Sequence, residues 1–140
     1  MTQSAESPAS AVKWFALTID CADDPASEQA LRRFYLEALD GEIVRDVAVR
    51  ARGLLLVFRR VGGYKVPTWP TSETPMQMHF EWMVNDLAHA VARLEDLGAS
   101  LADHQDPDDP ALRVMLDPAG HPFCVIADHA MHPDYPPPTA

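Results

Sequence analysis

The sequence predicts an α+β fold in which one β-α-β-β-β unit occurs twice in tandem. Three observations support this prediction: the same order of strand and helix patterns in both halves, an aspartate at the start of each helix, and a glycine closing each helix. Neither half can cover its own sheet face alone, so the two halves are expected to share one core. The 140 residues leave room for a single domain of this kind.

The first half, predicted over residues 12–62, opens with a strand and a helix. Alternation of apolar and polar residues over 14–21 is typical of a half-buried strand. Asp23-Asp24-Pro25 predicts a turn into a helix, and Gly41 is expected to end that helix. Two β-rich stretches separated by an arginine-bearing turn then predict a hairpin, at residues 42–49 and 53–61.

The second half, predicted over residues 77–128, follows the same order. An alternating strand over 78–84 precedes a helix that begins at Asn85-Asp86 and ends at Gly98. Three more strands are predicted after it, at residues 99–102, 112–116 and 122–127.

Three segments fall outside the two halves. Residues 1–11 are expected to be flexible, and residues 129–140 form a proline-rich tail. The connector, residues 63–76, is long and proline-rich, and loops of this kind are often functional. Its Tyr64 and Trp69 are candidate substrate-binding residues that can cover a bound molecule or simply attach the connector to the sheet.

Charge and hydropathy exclude two classes of partner. The 11 Lys and Arg residues against 21 Asp and Glu residues give a net charge of −10, which disfavours nucleic acid. The longest apolar stretch, near residues 53–58, is far too short to cross a bilayer, so no membrane partner is expected.

The first residues lack the features of a secretory signal, which predicts a cytoplasmic protein. Cys21 and Cys124 lack zinc-ligand spacing and are expected to be reduced thiols.

Several motifs carry a family resemblance. They are Phe34-Tyr35 in the first helix, Asp86-Leu87 at the second, the runs 63–70 and 77–81, and Asp117-Pro118-Ala119-Gly120-His121-Pro122-Phe123-Cys124. Together they resemble the vicinal oxygen chelate superfamily, and most closely its glyoxalase-like, bleomycin-resistance-like branch. The resemblance covers residues 12–128 and implies two βαβββ modules that curl a mixed sheet around an open cleft. It also implies a small-molecule ligand and a homodimer.

Metal-dependent members of that superfamily hold a cation with one side chain from the first and last strand of each module. Carried over by position, the second module offers His79 and Cys124, of which His79 is the matching ligand type. The first module offers Ala16 and either Arg59 or Val57. Ala16 cannot bind a metal and an arginine repels one, so fewer than about three ligands remain. The expectation is therefore no cofactor, with a divalent metal disfavoured.

Strand alternation extends the predicted cleft lining beyond His79. If His79 faces the cleft, Glu81 and Met83 face it too, while Phe80 and Trp82 pack under the helix. The predicted catalytic residues are His79, Glu81 and Arg59. The predicted substrate-binding residues are Thr18, Asp20, Tyr64, Trp69, Met83 and Cys124.

Three functions are compatible with this lining. The first is a metal-independent lyase, isomerase or cyclase, with His79 or Glu81 as general base and Arg59 stabilising an oxyanion. The second is a non-catalytic protein that sequesters a drug or metabolite. The third is a metal-dependent glyoxalase-type enzyme whose ligands include Glu81 or Asp20 beside His79. The purely structural alternatives are that Asp20 and Glu81 pair with Arg59, and that Cys124 is a small buried hydrophobe.

Overall fold

The computed structural model describes residues 11–128, and its elements follow the predicted order. They are β1 (Leu17–Ala22), α1 (Pro25–Ala38), β2 (Glu42–Val44), β3 (Ala48–Ala51), β4 (Leu54–Val61), β5 (Glu81–Val84), α2 (Leu87–Asp96), β6 (Ser100–Leu101), β7 (Leu112–Leu116) and β8 (Pro122–Ala127). The predicted proline-rich tail and nearly all of the predicted flexible N-terminal segment lie outside the described residues.

Each half of the chain forms its own four-stranded mixed sheet. The strand orders are β1-β4-β3-β2 and β5-β8-β7-β6, so the two halves have the same topology. In each sheet the first strand is parallel to the last, and the remaining pairs are antiparallel. We call β1–β4 with α1 module one, and β5–β8 with α2 module two. The predicted α+β fold of two βαβββ modules is confirmed, with two mixed sheets.

Both helices begin at an aspartate that caps them. Asp24 accepts a hydrogen bond from the backbone N–H of Ser27 at 2.7 Å, and Pro25 occupies the first turn. Asp86 caps α2 in the same way, through the N–H of His89 at 3.0 Å. Among residues 11–128, neither helix has the length and apolar character that crossing a membrane requires.

Two predicted strands begin later than expected. β1 begins at Leu17 because its ladder with β4 starts at the Leu17–Leu56 pair, and Trp14 before it stays exposed. β5 begins at Glu81, although the carbonyl of Phe80 already accepts a hydrogen bond from β8 at 2.9 Å. The alternation of side chains therefore continues through residues 79 and 80.

The predicted strand over residues 42–49 is wrong in its extent. Arg45 and Asp46 adopt positive φ angles of 52° and 64°, which produces a turn between β2 and β3. The predicted arginine-bearing turn lies between β3 and β4, at Arg52 and Gly53, with φ angles of 53° and 81°. Module one therefore has the full set of three strands after its helix.

One core joins the two modules. Leu17, Ile19 and Cys21 of β1 pack in the same cluster as the apolar residues of module two, which confirms the predicted alternation on both first strands. The core also contains Phe80, Trp82, Val84 and Phe123. Phe34 of α1 is fully buried and stacks on Trp82, with ring centroids 6.2 Å apart. Burial of such a side chain contributes about 1.5–3 kcal/mol to stability.

Candidate functional site

The register of the two sheets shows which residues are equivalent in the two modules. Since the core-facing residues of β1 match those of β5, Thr18 of module one corresponds to Glu81 of module two. Thr18 lies opposite Val57 on β4, and Glu81 lies opposite Cys124 on β8. Val57 is therefore the counterpart of Cys124, and Arg59 lies one pleat further along β4.

A cavity of about 320 Å³ lies where the two modules meet. Module one contributes β1 and one aromatic ring of α1, and module two contributes the residues that enter β5 and β8. Its lining residues are Leu17, Thr18, Ile19, Asp20, Tyr35, Met78, His79, Phe80, His121 and Pro122. Of the predicted site residues, the cavity brings together Thr18, Asp20 and His79.

Three potential metal-ligating side chains cluster on module two. Nε2 of His79 lies 3.4 Å from Oε2 of Glu81, and these side chains are 31% and 28% exposed. The ligand atoms of His79, Glu81 and Cys124 all lie within 4.8 Å of one another. We call these three residues the module-two triad. They meet because His79 and Glu81 are two residues apart on one face, and Cys124 is opposite Glu81.

Cys124 is a protonated thiol at neutral pH. Burial, and then the negative charge of Glu81, raise the pKa of its thiol to about 11. Its other neighbours are apolar residues of β7 and β8, including Val114 and Ile126. These surroundings agree with the expected reduced thiol.

Arg59 is bound by Asp20 rather than directed at the module-two triad. Its Nε and Nη2 donate to the two carboxylate oxygens of Asp20 at 2.9 and 3.0 Å, a bidentate pair between directly opposed residues. The hydrogen bonds and charge of Asp20 raise the pKa of Arg59. Asp20 lines the cavity but Arg59 does not. The structural alternative for Asp20 is thus observed, and Glu81 contacts His79.

Met83 lies on a different concavity. A second cavity of about 400 Å³ is formed by β5, the end of α1 and α2. Glu81 and Met83 line it, together with Arg52 and Arg93. The predicted cleft residues in and just before β5 are therefore divided, with His79 on the first cavity and Met83 on the second.

Tyr64 of the connector is attached to the turn between β7 and β8. Its hydroxyl donates to the carbonyl of Ala119 at 2.9 Å and lies 3.1 Å from Nε2 of His121. Burial raises the pKa of Tyr64. The contacts attach this part of the connector to module two, as the structural alternative for Tyr64 anticipated.

His121 is a cavity residue that was not among the predicted site residues. Its Nε2–H donates to the carbonyl of Asp20 on β1 at 2.6 Å, so this imidazole joins the two modules beside the cavity. His121 belongs to the 117–124 motif that carries the family resemblance. The chain gives no local signal for its contact with β1, which is 101 residues away in sequence.

Asp117 holds that turn from inside the protein. This carboxylate is only 3% exposed and accepts hydrogen bonds from the N–H groups of Ala119 and His121, at 2.9 and 3.0 Å. It also accepts from the hydroxyl of Tyr35 at 2.7 Å. Loss of hydration raises the pKa of Asp117, and the hydrogen bonds oppose that change. Because Tyr35 belongs to α1 and lines the cavity, the bond fixes one wall of the cavity to the turn.

Trp69 covers part of module two's second sheet face. It packs against the cluster that contains Cys124 and Ile126, and its Nε1–H donates to the carbonyl of His104 at 3.2 Å. Trp69 thus lies on the side of the sheet that carries Cys124. It is not a lining residue of the cavity between the modules.

Among residues 11–128, the cluster of three side chains that could hold a metal ion lies in module two. Module one places Ala16 and Val57 at the two positions implied by the resemblance, and neither side chain can bind a cation. Module two supplies His79 and Cys124, and Glu81 adds a carboxylate next to both. An imidazole, a carboxylate and a thiolate fit a three-ligand site, although the four-ligand arrangement shared by both modules is not present.

Comparisons with known proteins agree with this architecture. The family described as glyoxalase-like domain matches residues 16–126. The glyoxalase family protein from Enterococcus faecalis has a similar structure, with 18% identity, a TM-score of 0.55, and coverage of 79% of this chain and 94% of that chain. The fosfomycin resistance protein FosX from Listeria monocytogenes has 14% identity, a TM-score of 0.55, and coverage of 81% and 88%.

A gene product of Arabidopsis thaliana is also similar, with 16% identity, a TM-score of 0.55, and coverage of 82% and 98%. No curated protein sequence matches this chain significantly. At these identities the structural likeness shows the fold, while the family match spans most of the chain. The chain therefore belongs to the glyoxalase-like domain family.

Proposed function

We propose that the protein binds a small organic molecule between its modules and acts on it as a lyase, isomerase or cyclase. The observation that carries this proposal is His79 at the cavity, with the carboxylate of Glu81 next to its imidazole. His79 lines the cavity, and its Nε2 lies 3.4 Å from Oε2 of Glu81. An imidazole beside a carboxylate can accept a proton from a bound molecule and return it, which contributes about 10²–10⁴-fold to a rate.

The cavity suits a small molecule with an apolar body. Its volume of about 320 Å³ is at the lower end of the range for small-molecule sites. Leu17, Ile19 and Phe80 supply apolar contacts, and the imidazoles of His79 and His121 supply polar ones. This division allows a ligand to be held by its apolar part while a polar group is directed at His79.

Each residue of the pair has a separate task in this proposal. His79 takes the proton, and the carboxylate of Glu81 stabilises the imidazolium that forms. Arg59 was predicted to stabilise an oxyanion, but its bidentate bond to Asp20 assigns it instead to orienting that carboxylate. A divalent cation held by His79, Glu81 and Cys124 would supply Lewis-acid polarisation of a carbonyl oxygen.

A ligand screen followed by product analysis tests the proposal. Small carbonyl compounds and polycyclic aromatic metabolites are screened by thermal shift in chelator-treated buffer, and those that raise Tm are incubated with the protein and analysed by mass spectrometry. His79→Ala is expected to lower turnover about 100-fold or more, and Glu81→Gln is expected to lower it less. His89→Ala is the matched control, since His89 is an exposed histidine on α2. Wild-type turnover by His79→Ala would overturn the assignment.

The second candidate is binding without catalysis. It is favoured by the cavity lining, because none of the described lining residues is a lysine or arginine that could stabilise a developing oxyanion. The net charge of −10 suits a cationic ligand, and the structurally similar FosX is a fosfomycin resistance protein. Cationic glycopeptides and aromatic antibiotics that raise Tm and are recovered unchanged would support this candidate.

A further inference from the structure

We propose that the second cavity is a separate binding site for a small organic carboxylate with a compact apolar body. The inference goes beyond the proposed function and does not depend on it, because that function concerns the cavity that His79 lines. The second cavity, of about 400 Å³, lies instead between β5, α2 and the end of α1. Its volume falls within the range for small-molecule sites.

The second cavity follows the free edge of β5. Four consecutive residues, 81–84, line it. Consecutive side chains point to opposite faces of a sheet, so a cavity that touches all four lies along the edge of the strand. Among the described strands, β5 pairs with β8 alone, and on that side the carbonyl of Phe80 accepts a hydrogen bond from Cys124. The N–H groups of Glu81 and Met83 therefore point away from β8, toward the edge where the cavity lies.

Two arginines bring positive charge to this edge. Arg93 of α2 and Arg52 of the turn between β3 and β4 both line the cavity. Within residues 11–128, the guanidinium of Arg93 makes no hydrogen bond or ion pair. Nη2 of Arg52 lies 3.8 Å from Oδ2 of Asp40, and these side chains are 69% and 87% exposed. Such an exposed pair contributes little, so both guanidinium groups are available to a ligand.

The charge of the lining selects a monoanion. Two arginines and the carboxylate of Glu81 leave one positive charge in excess, in a chain whose net charge is −10. Oε2 of Glu81 is 3.4 Å from Nε2 of His79, so this carboxylate already has a partner outside the cavity. A carboxylate ligand matches the excess charge, whereas a dianionic phosphate ester would exceed it. A planar carboxylate also suits the forked guanidinium group.

The remaining lining favours an apolar body on that carboxylate. Leu39 at the end of α1, Trp82 of β5 and Leu94 of α2 line the cavity and belong to the shared core or pack against it. The indole of Trp82 offers an aromatic surface on which a ring can pack. A ligand can therefore rest its apolar part on these side chains while its carboxylate reaches the arginines.

Fluorine NMR with a matched pair of probes tests the charge requirement. The full chain is titrated with para-trifluoromethylbenzoate and, separately, with the neutral and similarly shaped para-trifluoromethylbenzamide. We expect saturable binding of the benzoate, and binding of the benzamide that is weaker by about 10-fold or more, because a charged acceptor makes the stronger hydrogen bonds. Equal affinity for the two probes, or no saturable binding of the benzoate, would overturn the site.

Arginine variants locate the bound benzoate. Arg93→Gln and Arg52→Asn are each expected to weaken its binding about 10-fold. Asparagine is chosen at position 52 because the φ of Arg52 is 53°, a conformation that asparagine tolerates. Arg33→Gln is the matched control, since Arg33 is an exposed arginine of α1 outside both cavities, and it should bind benzoate as the wild type does. Circular dichroism establishes that each variant is folded.

The site and the proposed function fail in different ways. Benzoate that binds both cavity variants as tightly as the wild type, or is weakened equally by Arg33→Gln, would overturn the carboxylate site and leave the proposed function standing. Benzoate binding that needs Arg52 and Arg93, in a protein whose His79→Ala variant retains wild-type turnover, would support the carboxylate site and overturn the proposed catalysis.

Discussion

The two modules share a scaffold and differ in what they place on it. Their strand orders are identical, and both keep an apolar face toward the common core. On the opposite face, module one pairs Asp20 with Arg59 in an exposed bidentate salt bridge. Module two places His79 beside Glu81 and Cys124. The two modules therefore differ in residues that lie outside the shared core.

This difference shows how a duplicated module can divide its tasks. In module one, Asp20 and Arg59 bind each other, and the contribution of this module to the cavity is its wall along β1. In module two the imidazole of His79 lines the cavity, with the carboxylate of Glu81 and the thiol of Cys124 beside it. We therefore expect variants of the module-two triad to alter chemistry, and variants of the module-one pair to have small effects.

The largest expected stability effect contrasts two equivalent turns. Gly120, between β7 and β8, has a φ of 89°, and a Cβ at this position would collide with the Val66 side chain. Gly53, between β3 and β4, has a φ of 81°, but nothing lies near its Cβ position. Gly53→Ala should cost about 1–2 kcal/mol from its backbone conformation, and Gly120→Ala about 2–5 kcal/mol because overpacking is added.

Urea unfolding measures both variants. Val66→Ala in the Gly120→Ala background should recover the overpacking part of the loss, leaving a cost close to that of Gly53→Ala. Equal losses for the two single variants would contradict the close packing of the connector against the module-two turn.

The next effect concerns the bond between α1 and that turn. Tyr35→Phe removes the hydroxyl that donates to buried Asp117, and should lower the free energy of unfolding by about 1.5–3 kcal/mol because the acceptor is charged. Tyr64→Phe is the comparison, since its hydroxyl donates to the neutral carbonyl of Ala119. Its expected cost is about 0.5–1.5 kcal/mol. A larger loss for Tyr64→Phe would reverse the proposed ranking.

Asp117 is also expected to make stability depend on pH. Its folded-state pKa is raised above the ordinary value of 3.8, so the folded state retains the proton at pH values where the unfolded state has lost it. Stability from this group therefore falls as the pH rises from about 4 through the raised pKa. Asp117→Asn should remove that slope. Unfolding curves of the wild type and the variant at several pH values measure the difference. An unchanged slope would contradict the assignment.

The smallest effect is expected at the module-one pair. Arg59→Ala should leave Tm nearly unchanged, because an exposed salt bridge contributes little to stability. It should also lower turnover far less than His79→Ala, since Arg59 does not line the cavity. Differential scanning fluorimetry and the product assay together check this expectation. A loss of turnover as large as that of His79→Ala would restore Arg59 as a group that acts on the substrate.

Sequence patterns predict the scaffold well and the site in part. Alternation correctly separates Leu17, Ile19 and Cys21 from the opposite face of β1, because burial of one sheet face dictates a period of two. Parallel register carries no such local signal, so the sequence leaves Arg59 and Val57 open as counterparts of Cys124. The ladder between β1 and β4 favours Val57.

Long-range contacts explain what the sequence does not show. His121 meets the carbonyl of Asp20 only because the two modules close on each other. The grouping of Glu81 with Cys124 depends on the β5–β8 register, which the chain does not display locally. Alternation predicts one cleft for Met83 and His79, whereas the structure places them on two different cavities around β5.

The central claim is that the ligand contacts the histidines between the modules. Its most direct measurement is a titration of histidine-labelled protein, followed by side-chain NMR, with a compound that raises Tm. The account predicts that the imidazole signals of His79 and His121 shift in a saturable manner while that of His89 stays in place. Saturable binding that leaves the signals of His79 and His121 unmoved would contradict it.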